Sequence, residues 1–395
     1  MKTNSTYNSL IFKQTILQYM HSISIQYSVL FFFLFFLNSC VARYLPKIDE
    51  VKELLVVQGL ITDKNVTDTI KLSKSLPLGE KSVARPVTGC SVTLSDDLGS
   101  KVSLDESSAG TYITPPFFHG VPGRSYTLHI ATNSEFNYFN YESSPMEMEP
   151  VPPIDSLYYE KTVIEKAIPG FYKGIDGCQI YLNTHDPESK CRFFRWDFEE
   201  TWILRLLFSV PNQTCWISDL SHSINIKSAA AFDESRITRY PINYITNVTD
   251  RLTRKYSILV NQYSITEDEY KYWEKIQNIA IETGGFFDII PASVQSNIKC
   301  IEDPTEKVLG YFSVSAKSSK RLFIKDNFEG IIYRYGDCAT ARIPYVDPPG
   351  LGITVWILDD EPNIYPPYRI LTDKKGCADC TVRGSNVKPD FWEDK

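Results

Sequence analysis

A mainly β fold is predicted for this 395-residue chain from three observations. Short segments from Glu53 onward alternate apolar and polar residues with period two, as strands with one wet face do. Turn residues separate those segments at hairpin spacing. Tyr (24) and Phe (22) far outnumber Met (4), a usage that suits pleated, half-buried surfaces better than helical bundles. At 43% hydrophobic and 23% charged residues, the composition is that of a globular protein and excludes a disordered one.

The elements follow in order. Leu55–Thr62 reads as a strand, Asp63-Lys64-Asn65 as a turn, and Val66–Ser73 as a second strand with alternating faces. Cys90–Ser95, Lys101–Asp105, Gly110–Thr114 and Tyr126–Ala131 complete six short strands. Their spacing predicts an Ig-like β-sandwich over 53–144. The stretch 145–153 holds Pro145, Pro150, Pro152 and Pro153 and reads as a stiff connector. The remainder, 154–395, is expected to be a larger β-rich domain with one packed helix over about 266–283. Ile154–Tyr159, Gln179–Thr184, Phe193–Ile203, Arg251–Gln262, Val308–Ser315 and Arg321–Ile324 are its strands. Along Phe193–Ile203, Arg195, Asp197 and Glu199 share one face, where their opposed charges are expected to pair; Phe194, Trp196 and Phe198 share the other. Thr266-Glu267-Asp268-Glu269 is a capping box, Tyr270, Trp273, Ile276 and Ala280 follow at helical spacing, and Gly284-Gly285 stops the helix.

Ahead of these elements, Leu30–Leu37 is an uncharged apolar run of only about a dozen residues with its flanks, too short for the roughly 20 of a spanning helix. It has the length of a signal-peptide core, and Leu37-Asn38-Ser39-Cys40 looks like a lipobox. Residues 1–39 are then a lipoprotein signal peptide, Cys40 the acylated residue that meets outer-membrane lipid, and 40–52 a tether. Lys2 and Lys13 lie far upstream, and Met20 is an alternative start that would leave no Lys or Arg before the run. Removing 1–39 takes two lysines and no acid, so the charge moves from −7 to −9. That balance argues against a nucleic-acid partner, which calls for a basic face.

Cys40 aside, eight cysteines remain, an even number that an oxidising compartment would allow to pair. Cys377-x-x-Cys380 is the sharpest motif. A disulfide reading joins the two to each other or to Cys338 or Cys300. Zinc binding would need two further ligands at comparable spacing, and a redox pair should open a helix after a strand, so metal and redox readings rank below the structural one. No metal or cofactor is expected. The chain has no Gly-x-Ser-x-Gly elbow, His-Glu-x-x-His or phosphate loop, and nothing marks Glu199-Glu200 as facing across a cleft, so no enzyme is expected. Trp196, Trp202 and Trp216 are candidates for stacking on a ligand, against core packing as the plainer reading. His119 and His129 read as surface or packed residues.

Several motifs occur in an order that resembles one family: Leu55–Asp63; Gly110-Thr111-Tyr112 with Gly123–Tyr126; Pro152–Ser156; Tyr256–Val260; Tyr272-Trp273; Val308–Phe312; and the tail Cys377–Trp392. Together they resemble the Bacteroidota outer-membrane lipoproteins of domain-of-unknown-function family 4249. The tail departs from the pattern by carrying Gly384-Ser385 where Gly-Gly is usual. The resemblance implies a lipid-anchored outer-membrane accessory or binding protein that partners a TonB-dependent receptor in nutrient uptake. It supplies no catalytic residues. A structural or adhesive surface module is the alternative, with a hydrolase behind both. The ligand, and whether the protein reaches the cell surface, stay open.

Overall fold

The computed structural model describes residues 53–75, 85–164, 175–246, 249–282, 294–328, 338–345 and 355–393. The first run of strands is β1 Leu55–Thr62, β2 Thr69–Lys74, β3 Arg85–Pro86, β4 Ser91–Asp96, β5 Lys101–Ser108, β6 Thr111–Ile113, β7 Ser125–Ala131, β8 Asn140–Ser143 and β9 Met146–Glu147. The middle run is β10 Ile154–Ile164, β11 Ile175–Asp186, β12 Phe193–Arg205, β13 Thr214–Leu220, β14 Asn225–Ser228, β15 Ser235–Thr246 and β16 Tyr256–Ser264. Helix α1 is Glu267–Glu282, followed by β17 Ile298–Cys300, β18 Val308–Ser315 and β19 Lys317–Ile324. The chain closes with β20 Ala341–Pro344, β21 Trp356–Glu361, β22 Tyr368–Thr372 and the short helix α2 Lys375–Ala378. The fold is mainly β, as expected. No helix among the described residues is long and apolar enough to cross a membrane.

The strands form four sheets. The first runs β17-β8-β7-β4-β5-β6-β2-β1-β18, with β3 beside β2 and β9 beside β7. β5 joins its halves: Lys101–Leu104 pairs with β4, and Asp105–Ser108 pairs with β6. Alternation along β7 sends Tyr126, Leu128 and Ile130 inward, where they meet Leu55, Val57, Ile70, Leu94 and Phe312 in one apolar core. The range 53–144 does not complete this sheet by itself. β18 lies parallel to β1, Leu55 opposite Val308 through Thr62 opposite Ser315, and β17 pairs with β8. Gly310 sits in the left-handed region at φ 85°, and any Cβ there would collide with the Val57 carbonyl of β1. Glycine is what lets the two backbones close.

The second sheet is β10-β11-β15; the third is β13-β12-β16-β19 with β14 beside β12. Their inner faces share a second core containing Ile180, Leu182, Phe194, Trp196, Phe198, Ile237, Ile242, Ile258 and Val260. β12 has the two faces read from the sequence: Phe194, Trp196 and Phe198 are buried, while Arg195, Asp197 and Glu199 are half-exposed. Arg195 and Asp197 find other partners than each other. Arg195 stacks over Tyr263 and Trp273, each 5.0 Å from the ring centre, and Asp197 accepts from Asn261 at 2.7 Å. Neighbouring strands bring those groups closer than the next residue on the same face.

The connector between the two runs is bolted down: Gln262 donates to the Pro152 carbonyl at 2.8 Å and Ser264 to the Glu149 carbonyl at 2.6 Å. α1 caps as expected, with the Glu269 amide donating to Thr266 Oγ1 at 3.3 Å. The return half of the capping box is replaced. The Glu269 carboxylate turns inward, accepting from Trp273 Nε1 at 3.0 Å and Ser313 Oγ at 2.6 Å. The buried stripe is Glu269, Tyr272 and Ile276, with Tyr272 4.6 Å from Tyr311 of β18, a rotation from the stripe expected through Tyr270. Gly284 and Gly285 lie outside the described residues. Arg251–Lys255, expected as strand, is turn; β16 starts at Tyr256.

Candidate functional site

Cys40, with the signal peptide 1–39 and the tether, lies outside the described residues. The other sequence-predicted residues separate into a clamped tail and a buried core.

The tail carries both disulfides. Cys338 pairs with Cys377, one of the expected pairings, but Cys380 pairs with Cys215, which the sequence reading left out. Cys300 is buried and unpaired, as are Cys178 and Cys191, and Cys90 is also free of a disulfide. The even count therefore misled: four of the eight remain thiols, and burial pushes the Cys178 thiol up to about 12. That makes it a packing residue and a poor nucleophile. The Cys-x-x-Cys spacing places its cysteines on α2 and the turn after it, so the two reach different partners. Trp392 buries the end of the chain against Trp216, Phe323 and Phe391, and Arg383 anchors to Asp250 at 2.6 Å. This docked end agrees with the aromatic pair read in the sequence.

Trp196 and Trp202 are packing residues, and Trp216 is half-buried against the tail. Trp196 is 1% exposed, stacks on Phe194 and Tyr240, and donates its indole N–H to Gln262 Oε1 at 2.9 Å. Trp202 is buried, donates to Asp250 at 3.1 Å and lies under the Arg251 guanidinium. Trp216 faces the tail through Trp392. Trp196, with Phe194 and Tyr240 stacked on it, has no free face for a ligand; Trp202 is buried, and Trp216 is half-buried with an edge contact to Trp392.

Two carboxylates sit where charge is costly. Glu200 is 3% exposed on the inner side of β12. Its carboxylate accepts from Tyr256 Oη at 2.7 Å and Asn243 Nδ2 at 3.3 Å and pairs with Arg251 at 2.7 Å. Burial raises its pKa above the ordinary carboxylate value, while Tyr256 and Arg251 oppose the rise. Glu199 is on the opposite face, so the adjacent pair does not converge. Glu269 is fully buried, raised by burial and opposed by Arg195, and its Oε2 has no hydrogen-bond partner. Both read as polar clasps within packed elements. Among the described residues, no group of His, Cys, Asp and Glu could hold a metal ion.

The outward side of the first sheet differs. His129 stands on β7 with Ser95 Oγ 2.8 Å from its Nε2 and Glu142 Oε2 3.2 Å from its Nδ1. A cavity of about 290 Å³ opens beside it, lined among others by Thr93, Lys101, His129, Asn140 and Glu142. The sequence reads His129 only as a surface or packed residue, because its neighbours here come from the separate strands β4, β5 and β8. The signal available was alternation: Ser91, Thr93 and Ser95 share one face of β4. A wider, shallower groove of about 710 Å³ runs along Val66, Pro122, Pro150, Val151, Pro153 and Ala316–Ser319.

These features define a class: a multi-sheet β protein whose late strands complete its first sheet and whose tail is clamped by disulfides. The chain belongs to the family described as Domain of unknown function (DUF4249), whose model matches residues 41–321. The match covers β1–β18 and ends within β19, so the tail motif lies beyond it. Comparison with curated proteins finds no match.

Proposed function

We propose that the protein is a lipid-anchored accessory or binding protein of an outer membrane, working with a TonB-dependent receptor in nutrient uptake. The carrying observation is the apolar run that ends at Leu37-Asn38-Ser39-Cys40, with the family match starting at the next residue, 41. Lipid modification of Cys40 and cleavage just before it would leave the family region as the mature protein, held to lipid through Cys40. Two disulfides in the tail suit an oxidising compartment and so support export. A single acyl chain binds a membrane only marginally, so stable anchoring calls for the multiple chains a lipobox cysteine receives.

Metabolic labelling with an alkyne fatty acid tests the anchor. The native chain is expected to label and sediment with membranes, and Cys40→Ser to lose both while staying folded. Unchanged labelling in Cys40→Ser would remove the basis of the reading. For the partner, gentle solubilisation should recover a large β-barrel protein with this chain, and deletion should reduce uptake. Intact uptake with altered surface attachment would instead support an adhesive module.

A further inference from the structure

The outward face of the first sheet carries a hydrogen-bonded Ser–His–Glu series that the proposed function does not use. β4, β7 and β8 are adjacent antiparallel strands. Thr93 stands opposite His129, and His129 opposite Glu142. Side chains alternate across a sheet, so Ser95, two positions from Thr93, projects on the same side as His129 and Glu142. Leu94, Leu128, Ile130 and Tyr141 take the inward side and fill the core. That core holds the three strands in register and so sets the outer residues in place.

The order of contacts matters. Ser95 Oγ is 2.8 Å from His129 Nε2, and His129 Nδ1 is 3.2 Å from Glu142 Oε2. With the Nδ1 proton donated to Glu142, Nε2 is left to accept from the Ser95 hydroxyl. Nucleophile, base and orienting carboxylate then stand in sequence. His129 and Glu142 keep 35% and 48% of their side chains exposed, so a solute can approach. Lys101 stands directly opposite Ser95 on β5, and Lys101 and His129 both line the 290 Å³ cavity. Ser95 thus stands between two residues that line the cavity, in contact with His129 and opposite Lys101.

We propose that Ser95 is a nucleophile that accepts acyl groups from small, activated esters. The Ser95 oxygen bonds to the ester carbonyl carbon as His129 Nε2 takes the hydroxyl proton. The tetrahedral adduct collapses, its leaving oxygen departs with that proton from His129, and an acyl-Ser95 ester remains. Water attacks that ester with His129 again taking the proton, and the carboxylic acid leaves as Ser95 recovers its hydrogen. Glu142 is a positioning residue: it holds the imidazole tautomer and touches no reacting atom. β4 is flanked by β5 and β7, so its backbone N–H groups are committed to those neighbours. The Lys101 ammonium is therefore the group that offsets the developing oxyanion. With only that support, the substrates are esters whose leaving groups depart readily, such as aryl or enol esters, and not amides.

The test uses the purified full-length mature chain with 4-nitrophenyl acetate and, separately, a fluorophosphonate probe. Release of 4-nitrophenolate with an acetyl group on Ser95, located by peptide mass spectrometry, is the expected result. Fluorophosphonate should label the same residue. Ser95→Ala should abolish both, and His129→Gln should slow both by about 100-fold, the usual weight of a positioned base. Lys101→Ala should slow acylation by about 10-fold or more. Glu142→Gln should slow it while Glu142→Asp retains most of it, a rescue that a merely structural carboxylate would not produce. All these side chains point outward, and unchanged circular dichroism and thermal midpoint verify that the variants fold. Acetylation confined to lysines, no adduct on Ser95, or an adduct forming at the native rate in His129→Gln would each overturn the proposal.

Discussion

The core under the first sheet and the core between the second and third sheets differ in where they keep polar atoms. The first is mainly aliphatic and aromatic side chains from β1, β2, β4, β7 and β18; its Glu269–Ser313–Trp273 clasp lies at the α1 side, and the hydroxyl of its buried Tyr141 has no hydrogen-bond partner among the described residues. The second threads two polar networks through its interior. One joins Glu200, Tyr256, Asn243 and Arg251; the other joins Trp196, Gln262, Thr184 and the Pro152 carbonyl. Apolar burial is tolerant of small slips because it has no direction. A buried carboxylate or amide is not, because each misplaced partner leaves an unpaired group. The second core thus ties strands β11, β12, β15 and β16 to one alignment, and the Pro152 contact ties the connector to them. The first core fixes its late strand by another device, a parallel pairing that glycine at position 310 permits.

That contrast can be broken by mutation. The largest effect is expected at Glu200→Ala, which leaves Tyr256, Asn243 and Arg251 facing an empty site; the loss should be about 3 kcal/mol in a urea titration. A loss below about 1 kcal/mol would mean the network is dispensable. A matched pair of substitutions gives the next effect. Tyr256→Phe removes the donor at 2.7 Å from Glu200 and should cost about 1–2 kcal/mol, whereas Tyr141→Phe removes a hydroxyl without a partner and should change stability by less than about 0.5 kcal/mol. Equal losses would erase the distinction between the cores.

A further effect is a pH dependence at the connection between β1 and β2. Asp68 accepts from the Thr62 amide at 2.7 Å and from its hydroxyl at 3.0 Å, and burial pushes its carboxyl up to about 6 from 3.8. The folded state then holds the proton more tightly than the unfolded state. Its contribution to stability is present at low pH and is lost as pH rises from about 4 through about 6. The stability of Asp68→Asn relative to the native chain should accordingly rise across that window and level off above it. A relative stability that falls or stays flat would contradict the assignment.

Strand positions were legible where one face is wet and the other buried. Leu55–Thr62 and Val308–Ser315 are present with the boundaries read from the sequence, and Thr266 caps the helix expected after it. Val66–Asp68 was read into a strand, yet Asp68 turns its carboxylate back on Thr62 and β2 begins at Thr69. Local alternation does not reveal such a side-chain bond to the backbone. The tail was read as docked, but its anchor at Cys215 is 165 residues from Cys380 and could not be chosen among eight cysteines. The juxtaposition of Ser95, His129 and Glu142 is hidden for the same reason. Their strands are neighbours only through a register, and register belongs to pairing and not to any one strand.

The chain's own order of residues thus determined the β class, the amphipathic strands, the helix capped by Thr266 and the lipobox-like ending at Cys40, because each rests on periodicity or on neighbours within a few residues. It also carried the family signature. Only the tertiary structure decided that β18 completes the sheet begun by β1, that half of the eight remaining cysteines stay reduced, and that a histidine on β7 lies between a serine and a glutamate. Those outcomes depend on which distant segments share a core. That choice is made by the summed burial and pairing of the whole chain, which no local pattern contains.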